Sequence, residues 1–162
     1  MRGAPPLLAA LLLPVLLAAG CAGKTEEAVV CPHSAIIYGL DRMAAKDPAG
    51  HEIAASIENI DGLCQLQGET LDLDISFDIV VTGPEGTPLN YFVVLSDPAG
   101  AVIDKSTFAT VVPAGSGGGT IRLREQLTQE VHDVAAGTSA DYSILIGFDL
   151  PPETALEQRR AL

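Results

Sequence analysis

The chain has 162 residues, enough for one compact domain with its own hydrophobic core and too few for two. Its 21 Asp and Glu residues outnumber its 9 Lys and Arg residues, and the formal net charge is −12. Nucleic acid and anionic lipid surfaces are bound by clustered basic side chains, so this balance argues against both as partners. The acidic residues are scattered among many Ile, Val and Leu residues, which is typical of a folded domain.

The first 20 residues have the layout of a secretory signal peptide. One positive residue, Arg2, precedes an uncharged run from Leu7 to Ala19, which is shorter than the roughly 20 apolar residues of a membrane-spanning helix. Its end, Leu17–Cys21 (LAAGC), resembles the lipobox of bacterial lipoproteins. The resemblance implies cleavage directly before Cys21, a diacylglyceryl group on Cys21 and acylation of the new amino terminus. The alternative is an ordinary signal peptide whose cleavage site falls beside a cysteine.

The same resemblance implies a location. A lipid on Cys21 would anchor the protein to an envelope membrane, on the periplasmic side. The next residue is Ala22 rather than the Asp linked with inner-membrane retention in enteric bacteria, so the resemblance points to the outer membrane, with the inner membrane as the alternative. Residues 21–30 would then be a lipidated tether that spans on the order of 30 Å when extended. We therefore expect the domain to stay close to the membrane surface.

Cys31 and Cys64 are the two cysteines that remain once Cys21 is assigned to the lipid. In an oxidising periplasm, two remaining cysteines are expected to form one disulfide bond. A metal or redox pair would need close spacing such as C-x-x-C, which these two residues lack. By the chain-entropy argument, a bridge closing a loop of this length stabilises the fold by roughly 3 to 4 kcal/mol.

Residues 71–81 give the clearest secondary-structure signal, because apolar and polar residues alternate along them. The apolar set is Leu71, Leu73, Ile75, Phe77, Ile79 and Val81. A helix would scatter these side chains around its circumference, whereas a strand places all of them on one face of a sheet. We therefore expect this strand to form the centre of the core.

Weaker alternation predicts further strands at residues 35–38, 53–58, 89–95, 102–112, 121–128 and 142–148. Between them, residues 41–46 are expected to form one helical turn and residues 59–62 a reverse turn. About seven strands with little helical periodicity predict a single antiparallel, immunoglobulin-like β-sandwich over residues 31–150. Residues 151–162 are expected to form a tail or a short helix.

Two further resemblances concern the fold. The segment from Val134 to Tyr142 resembles the tyrosine corner of fibronectin type III and immunoglobulin-like sandwiches, which implies a structural role for Tyr142 through a hydrogen bond to the upstream backbone. Together with the lipobox and the Cys-Pro at Cys31, the segments 91–100 (YFVVLSDPAG) and 141–148 (DYSILIGF) resemble a group of uncharacterised envelope lipoproteins of alphaproteobacteria. That resemblance implies location and fold, and it implies no chemistry.

The carboxylates Asp72, Asp74 and Asp78 share one face of the central strand, and clustered carboxylates are what Ca²⁺ prefers. Alternate residues of a strand lie nearly 7 Å apart, so these three need ligands from another segment to surround one ion. The favoured interpretation is a solvated face that discourages aggregation.

The remaining polar residues show no pattern of a reaction centre. No two of the three histidines, His33, His51 and His132, are at metal-ligand spacing. The chain has no Gly-x-Ser-x-Gly motif, and the glycine-rich loop at residues 115–119 lacks the Lys-Ser/Thr end of a phosphate loop. We therefore expect no catalytic residue, no metal and no cofactor.

Aromatic side chains give the best indication of binding. Tyr91 and Phe92 are consecutive, so they face opposite sides of a sheet, and one of them is either exposed or covered by a loop. Phe92 is the expected exposed aromatic, with Phe108 in a neighbouring strand. The sequence as a whole predicts a non-catalytic binding or envelope-assembly module with an envelope protein as partner. The alternative is an accessory lipoprotein that binds a small ligand or a metal ion.

Overall fold

The computed structural model describes residues 29–160, so Cys21, the signal segment and most of the tether lie outside the described residues. Two four-stranded sheets pack face to face, in the orders β1-β8-β5-β6 and β2-β3-β4-β7. The elements are β1 (His33–Ile36), β2 (Arg42–Lys46), β3 (Glu52–Gln67), β4 (Thr70–Thr82), β5 (Pro88–Ser96), β6 (Val102–Val111), β7 (Thr120–Val131), a 3-10 turn (Ser139–Asp141), β8 (Ser143–Phe148) and α1 (Pro152–Arg160). The predicted β-sandwich is confirmed, with eight strands instead of about seven.

The strand order follows the immunoglobulin Greek key. β3, β4 and β7 take the places of strands A, B and E, and β6, β5 and β8 take those of C′, C and F. β1 lies beside β8, where an immunoglobulin domain has its last strand, but it runs parallel to β8, with His33 opposite Ser143. The other strand pairs are antiparallel.

The core forms around β4, as the alternation in residues 71–81 predicts. The six apolar side chains of this strand, from Leu71 to Val81, are at most 1% exposed. They pack with Tyr91 and Val93 of β5 and Ile146 of β8 across the space between the sheets. Because β4 is paired with both β3 and β7, neither of its edges is open.

Two local predictions are wrong. Residues 41–46 do not form a helical turn, because residues 42–46 pair with β3 as an antiparallel strand, and so short a segment has little helical stability of its own. Residues 59–62 do not reverse the chain. β3 continues through them with a shift of register between Glu58 and Asp61, and Asn59 takes a φ of 53° at this bulge.

The chain enters the sandwich at one end, here called the entry end. Val29 packs against the core, and the Ser139 hydroxyl donates to the carbonyl oxygen of Val30 at 2.8 Å, so the folded part begins before Cys31. The turn at residues 97–101 and the segment 132–142 lie at the same end. Within residues 29–160, no helix combines the length and apolar character needed to cross a bilayer.

One lateral side of the sandwich is closed by a covalent bond. The predicted disulfide is confirmed: Cys31 precedes β1 in one sheet and Cys64 lies in β3 of the other, with their Cα atoms 5.4 Å apart. This bond joins the two sheets beside the point where the chain enters.

The opposite lateral side, between the edge strands β6 and β7, is closed by polar side chains and is here called the seam. The Tyr91 hydroxyl donates to Glu125 Oε2 at 2.9 Å, and Gln129 Nε2 donates to Asp104 Oδ2 at 2.8 Å. The Tyr91 ring stacks on Phe108, with the ring centres 5.5 Å apart. Burial and the Glu125 carboxylate raise the pKa of Tyr91 well above its usual range, so its hydroxyl stays protonated as a donor.

Candidate functional site

The aspartates Asp74 and Asp78 of β4 form hydrogen bonds within their own sheet. Asp78 is buried and accepts hydrogen bonds from Asn59 Nδ2 at 2.8 Å, Arg122 Nη1 at 2.8 Å and Arg124 Nη1 at 3.1 Å. The Asn59 amide and then the two guanidinium groups lower the pKa of Asp78 to about 2. Asp74 accepts from the hydroxyl of Thr128 at 2.9 Å. These bonds cross-link β3, β4 and β7 on the outer face of their sheet.

The three histidines belong to three different segments of the fold. His51 Nδ1 lies 2.8 Å from Asp47 Oδ2 in the turn between β2 and β3, and this contact lowers the pKa of Asp47. His33 is at the start of β1, and His132 follows β7. In the part of the chain that the structure describes, no group of three or more His, Cys, Asp or Glu side chains is arranged to hold a metal ion.

The prediction that Phe92 is an exposed aromatic is wrong, because the side chain is only 9% exposed. Phe92 faces outward, but a loop covers it: Leu40 and Phe92 both lie against Gly147, where an added Cβ would be 2.9 Å from Leu40 Cβ and 3.4 Å from Phe92 Cζ. Lys105 Nζ lies 4.7 Å from the centre of the Phe92 ring. Phe92 is therefore part of the packing on this face and not a free docking residue.

A groove of about 630 Å³ opens at the entry end of the seam, and it is the best candidate for a binding site. Its volume is in the range of small-ligand and side-chain sites. Four carboxylates line it, from Asp97, Asp104, Glu130 and Asp133. None of the ten lining residues is Lys or Arg, so the groove has a strongly negative potential.

The sheet topology brings these carboxylates together from three segments. Asp97 opens the turn after β5, and its Oδ1 accepts the backbone N–H groups of Ala99 at 2.9 Å and Ala101 at 2.8 Å. Asp104 projects inward from β6, and its Oδ2 receives Gln129. In the described residues, the second oxygen of each of these two carboxylates accepts no hydrogen bond. Each of these two carboxylates thus has one oxygen that is available to accept a hydrogen bond from a ligand.

Apart from Gln129 and His132, the remaining lining residues are apolar or aromatic. Leu95, Ile103 and Val131 provide aliphatic surface, and Tyr142 lines the groove from the start of β8. Tyr142 is buried to more than nine-tenths, with 9% exposure. Among the described residues, its hydroxyl makes no hydrogen bond with the backbone upstream of it, so the bond expected of a tyrosine corner is not found there.

At the polar rim of the groove, Thr70, His132 and Glu130 form a row that has the residue types of a hydrolase triad. Thr70 Oγ1 lies 3.4 Å from His132 Nδ1, and His132 Nε2 lies 4.0 Å from Glu130 Oε2. Both distances exceed the roughly 2.6 to 3.2 Å of a nucleophile bonded to its base. The His132 side chain is also 68% exposed. The geometry favours a solvated rim over a reaction centre.

Sequence reasoning did not identify the groove. Its residues are ordinary strand-end and turn residues that are far apart in the chain, and only their shared position at the entry end unites them. A partial signal was available, since Tyr142 begins a predicted strand and Asp97 follows shortly after the end of another.

Comparisons with known proteins add a distant likeness. No family model matches the sequence, and no curated protein is significantly similar to it. Among solved structures, a crystal structure of a DUF1425 family member from Shewanella sp. pv-4 is similar, with a TM-score of 0.36 and 12% sequence identity. The match covers 71% of this chain and 95% of that chain.

Proposed function

We propose that this protein is a lipid-anchored envelope protein, of the alphaproteobacterial lipoprotein kind, that works by contact with a partner and not by catalysis. The observation that carries the proposal is the Leu17–Cys21 motif directly after an uncharged apolar run. In such a chain Cys21 becomes the lipidated first residue, and the domain lies on the periplasmic face of the outer membrane.

The disulfide supports this location. A bond between Cys31 and Cys64 persists in an oxidising compartment and is reduced in a cytosol. The count of cysteines agrees as well, because the bond uses two of the three and leaves Cys21 for the lipid.

The geometry of the entry end supports a short tether. The chain is fixed to the sandwich from Val29 onward, where Val29 packs on the core and Val30 receives Ser139. Seven residues then separate Cys21 from Val29, a reach of roughly 25 Å at full extension. The partner must therefore be found within a short distance of the membrane.

The distribution of polar groups supports contact over catalysis. The carboxylate with the most perturbed pKa, Asp78, accepts hydrogen bonds from Asn59, Arg122 and Arg124. The hydroxyl with the most perturbed pKa, that of Tyr91, donates to Glu125 inside the seam. Both groups are occupied in holding strands together.

Fractionation of cells tests the anchor. We expect Cys21→Ala to move the protein from the carbonate-resistant membrane pellet to the soluble fraction. The matched control is Cys31→Ala with Cys64→Ala, which removes two thiols and keeps Cys21, and which should stay in the pellet. A Cys21→Ala protein that remained in the pellet would contradict the lipid anchor.

Crosslinking in intact cells tests the contact. At native expression levels, we expect the wild-type protein to give a discrete adduct with one envelope protein, and Cys21→Ala to lose this adduct because the domain no longer stays at the membrane. The absence of any adduct from the wild type, with crosslinkers for both amines and carboxylates, would contradict a contact function.

A further inference from the structure

The first feature of the groove at the entry end is its set of separated carboxylates. Four carboxylates, from Asp97, Asp104, Glu130 and Asp133, lie around an opening of about 630 Å³. In the described residues they are not clustered closely enough to form a metal site. Carboxylates spread around an opening of this size suit a larger organic cation, which spreads its own charge and donors over several ångströms.

A second, independent feature of the groove is the Tyr142 hydroxyl. A buried tyrosine usually finds a partner for its hydroxyl, and in the corner of an immunoglobulin-like sandwich that partner is the upstream backbone. Tyr142 is buried to more than nine-tenths, yet among residues 29–160 its hydroxyl has no hydrogen-bond partner. The groove is the opening that Tyr142 lines.

The third feature is the apolar wall. Leu95, Ile103 and Val131 line the same groove as the carboxylates; Leu95 and Val131 are buried, and Ile103, which is 47% exposed, provides the accessible aliphatic surface. An aliphatic wall beside separated carboxylates matches a cation on an alkyl stem, because the stem covers the aliphatic surface while the charged head reaches the acids.

We propose that this groove binds the side chain of an Arg or Lys residue of the partner protein, with the carboxylates receiving the cation and Tyr142 donating its hydroxyl to a carbonyl group of the same segment. The proposal deepens the contact function above and rests on it. Asp104 Oδ1 and Asp97 Oδ2 are the oxygens available for the cation. The partner meets the domain at its entry end, beside the membrane.

Calorimetric titration of the purified full chain in nonionic detergent tests the proposal. The probe is an acetylated, amidated pentapeptide, Ala-Ala-Arg-Ala-Ala, and the matched probe carries citrulline, which has the shape of Arg without its charge. We expect the Arg peptide to bind and the citrulline peptide to bind on the order of tenfold more weakly, since two exposed ion pairs are lost. Equal binding of both peptides overturns the proposal.

Two double variants locate the binding. Asp104→Asn with Asp133→Asn keeps the side-chain shapes, and Asn suits the positive φ of 60° at residue 133. We expect this variant to bind the Arg peptide with an affinity on the order of tenfold lower. Glu153→Gln with Glu157→Gln removes the same charge from α1 at the opposite end, and should change the affinity less than about twofold at physiological salt. Equal losses of affinity in both variants would mean that binding depends only on the net charge of the protein, which overturns the proposed site in the groove.

Tyrosine-selective ¹³C labelling supplies a readout within the site. The chain has three tyrosines, Tyr38, Tyr91 and Tyr142, so the spectrum is assigned by Tyr142→Phe alone. We expect the Arg peptide to shift the Tyr142 signal and leave that of Tyr38 in place. A stationary Tyr142 signal at saturation overturns the site.

A free polyamine distinguishes the source of the cation. If spermidine bound as tightly as the Arg peptide and shifted the Tyr142 signal as much, the ligand would be a soluble amine. That result would overturn the proposal that the groove binds a side chain of the partner. These binding assays do not depend on where the protein is located. If a chain lipidated at Cys21 fails to bind the peptide, the groove proposal is rejected and the anchor stands. If an unlipidated chain binds the peptide, only the anchor is rejected.

Discussion

The two lateral sides of the sandwich are closed by different chemistry. On one side, the Cys31–Cys64 bond joins the sheets covalently, close to where the chain enters. On the other, the seam is held by the Tyr91–Glu125 and Gln129–Asp104 hydrogen bonds between partly buried groups. The covalent bridge keeps Cys31 and Cys64 joined through any local opening, whereas the hydrogen bonds hold only while the native geometry persists. The bridged side should therefore be the more resistant one, and the seam, which contains the groove, the more adaptable one.

Removing the bridge should have the largest effect on this comparison. We expect Cys31→Ala with Cys64→Ala to lower the free energy of unfolding by roughly 3 to 4 kcal/mol, because the unfolded chain regains the freedom of the loop between residues 31 and 64. Urea unfolding of the variant and the wild type measures the loss. A loss as small as that of a single hydrogen bond would show that β1 and its pairing with β8 hold this side without the bridge.

Loosening the seam should have an intermediate effect. Tyr91→Phe leaves the partly buried Glu125 carboxylate without its donor, which is expected to cost about 1 to 3 kcal/mol. The matched control is Tyr38→Phe, which removes a hydroxyl from a largely exposed ring and should leave stability within about 0.5 kcal/mol. Urea unfolding measures both variants, and hydrogen exchange should show the added opening in β6 and β7 and not in β1. Equal opening of the two sides would contradict the difference between them.

Lowering the pH should weaken the attachment of β7 to β4 by a smaller amount. The pKa of Asp78 is about 2 in the fold and near 3.8 in the unfolded chain. The unfolded chain therefore binds more protons between these values, and the contribution of Asp78 is present above about pH 4 and is lost as the pH falls toward 2. We expect the Tm difference between the wild type and Asp78→Asn to be largest at neutral pH and to shrink through this window. A difference independent of pH would mean that the charge of Asp78 plays no part in holding Arg122 and Arg124.

The regular alternation of β4 made its position predictable, and long-range pairing decided what local patterns could not. The six apolar residues at every second position specify one buried face for that strand whatever its partners are. β2 has no such pattern and is a strand only because β3 offers it an edge. Asn59 and Asp61 look like turn residues by composition, but the pairing on both sides of them absorbs the irregularity as a bulge.

The site was harder to predict than the fold for the same reason. The pairing of Cys31 with Cys64 follows from counting if Cys21 is assigned to a lipid and the compartment is oxidising. The groove depends on where Asp97, Asp104 and Asp133 come to lie after folding, and no spacing in the chain encodes that. Tyr142 shows the limit of a motif, because its position was predicted while its hydrogen bond was not found among the described residues.

The parallel pairing of β1 with β8 has a consequence for the order of folding. His33 and Ser143 lie about 110 residues apart in the chain, so the first strand to be synthesised has its neighbour among the last. Contacts between such distant segments form late and slow the folding reaction. A chain of this design cannot complete its sheet before nearly all of it has been synthesised, because β1 has to pair with β8.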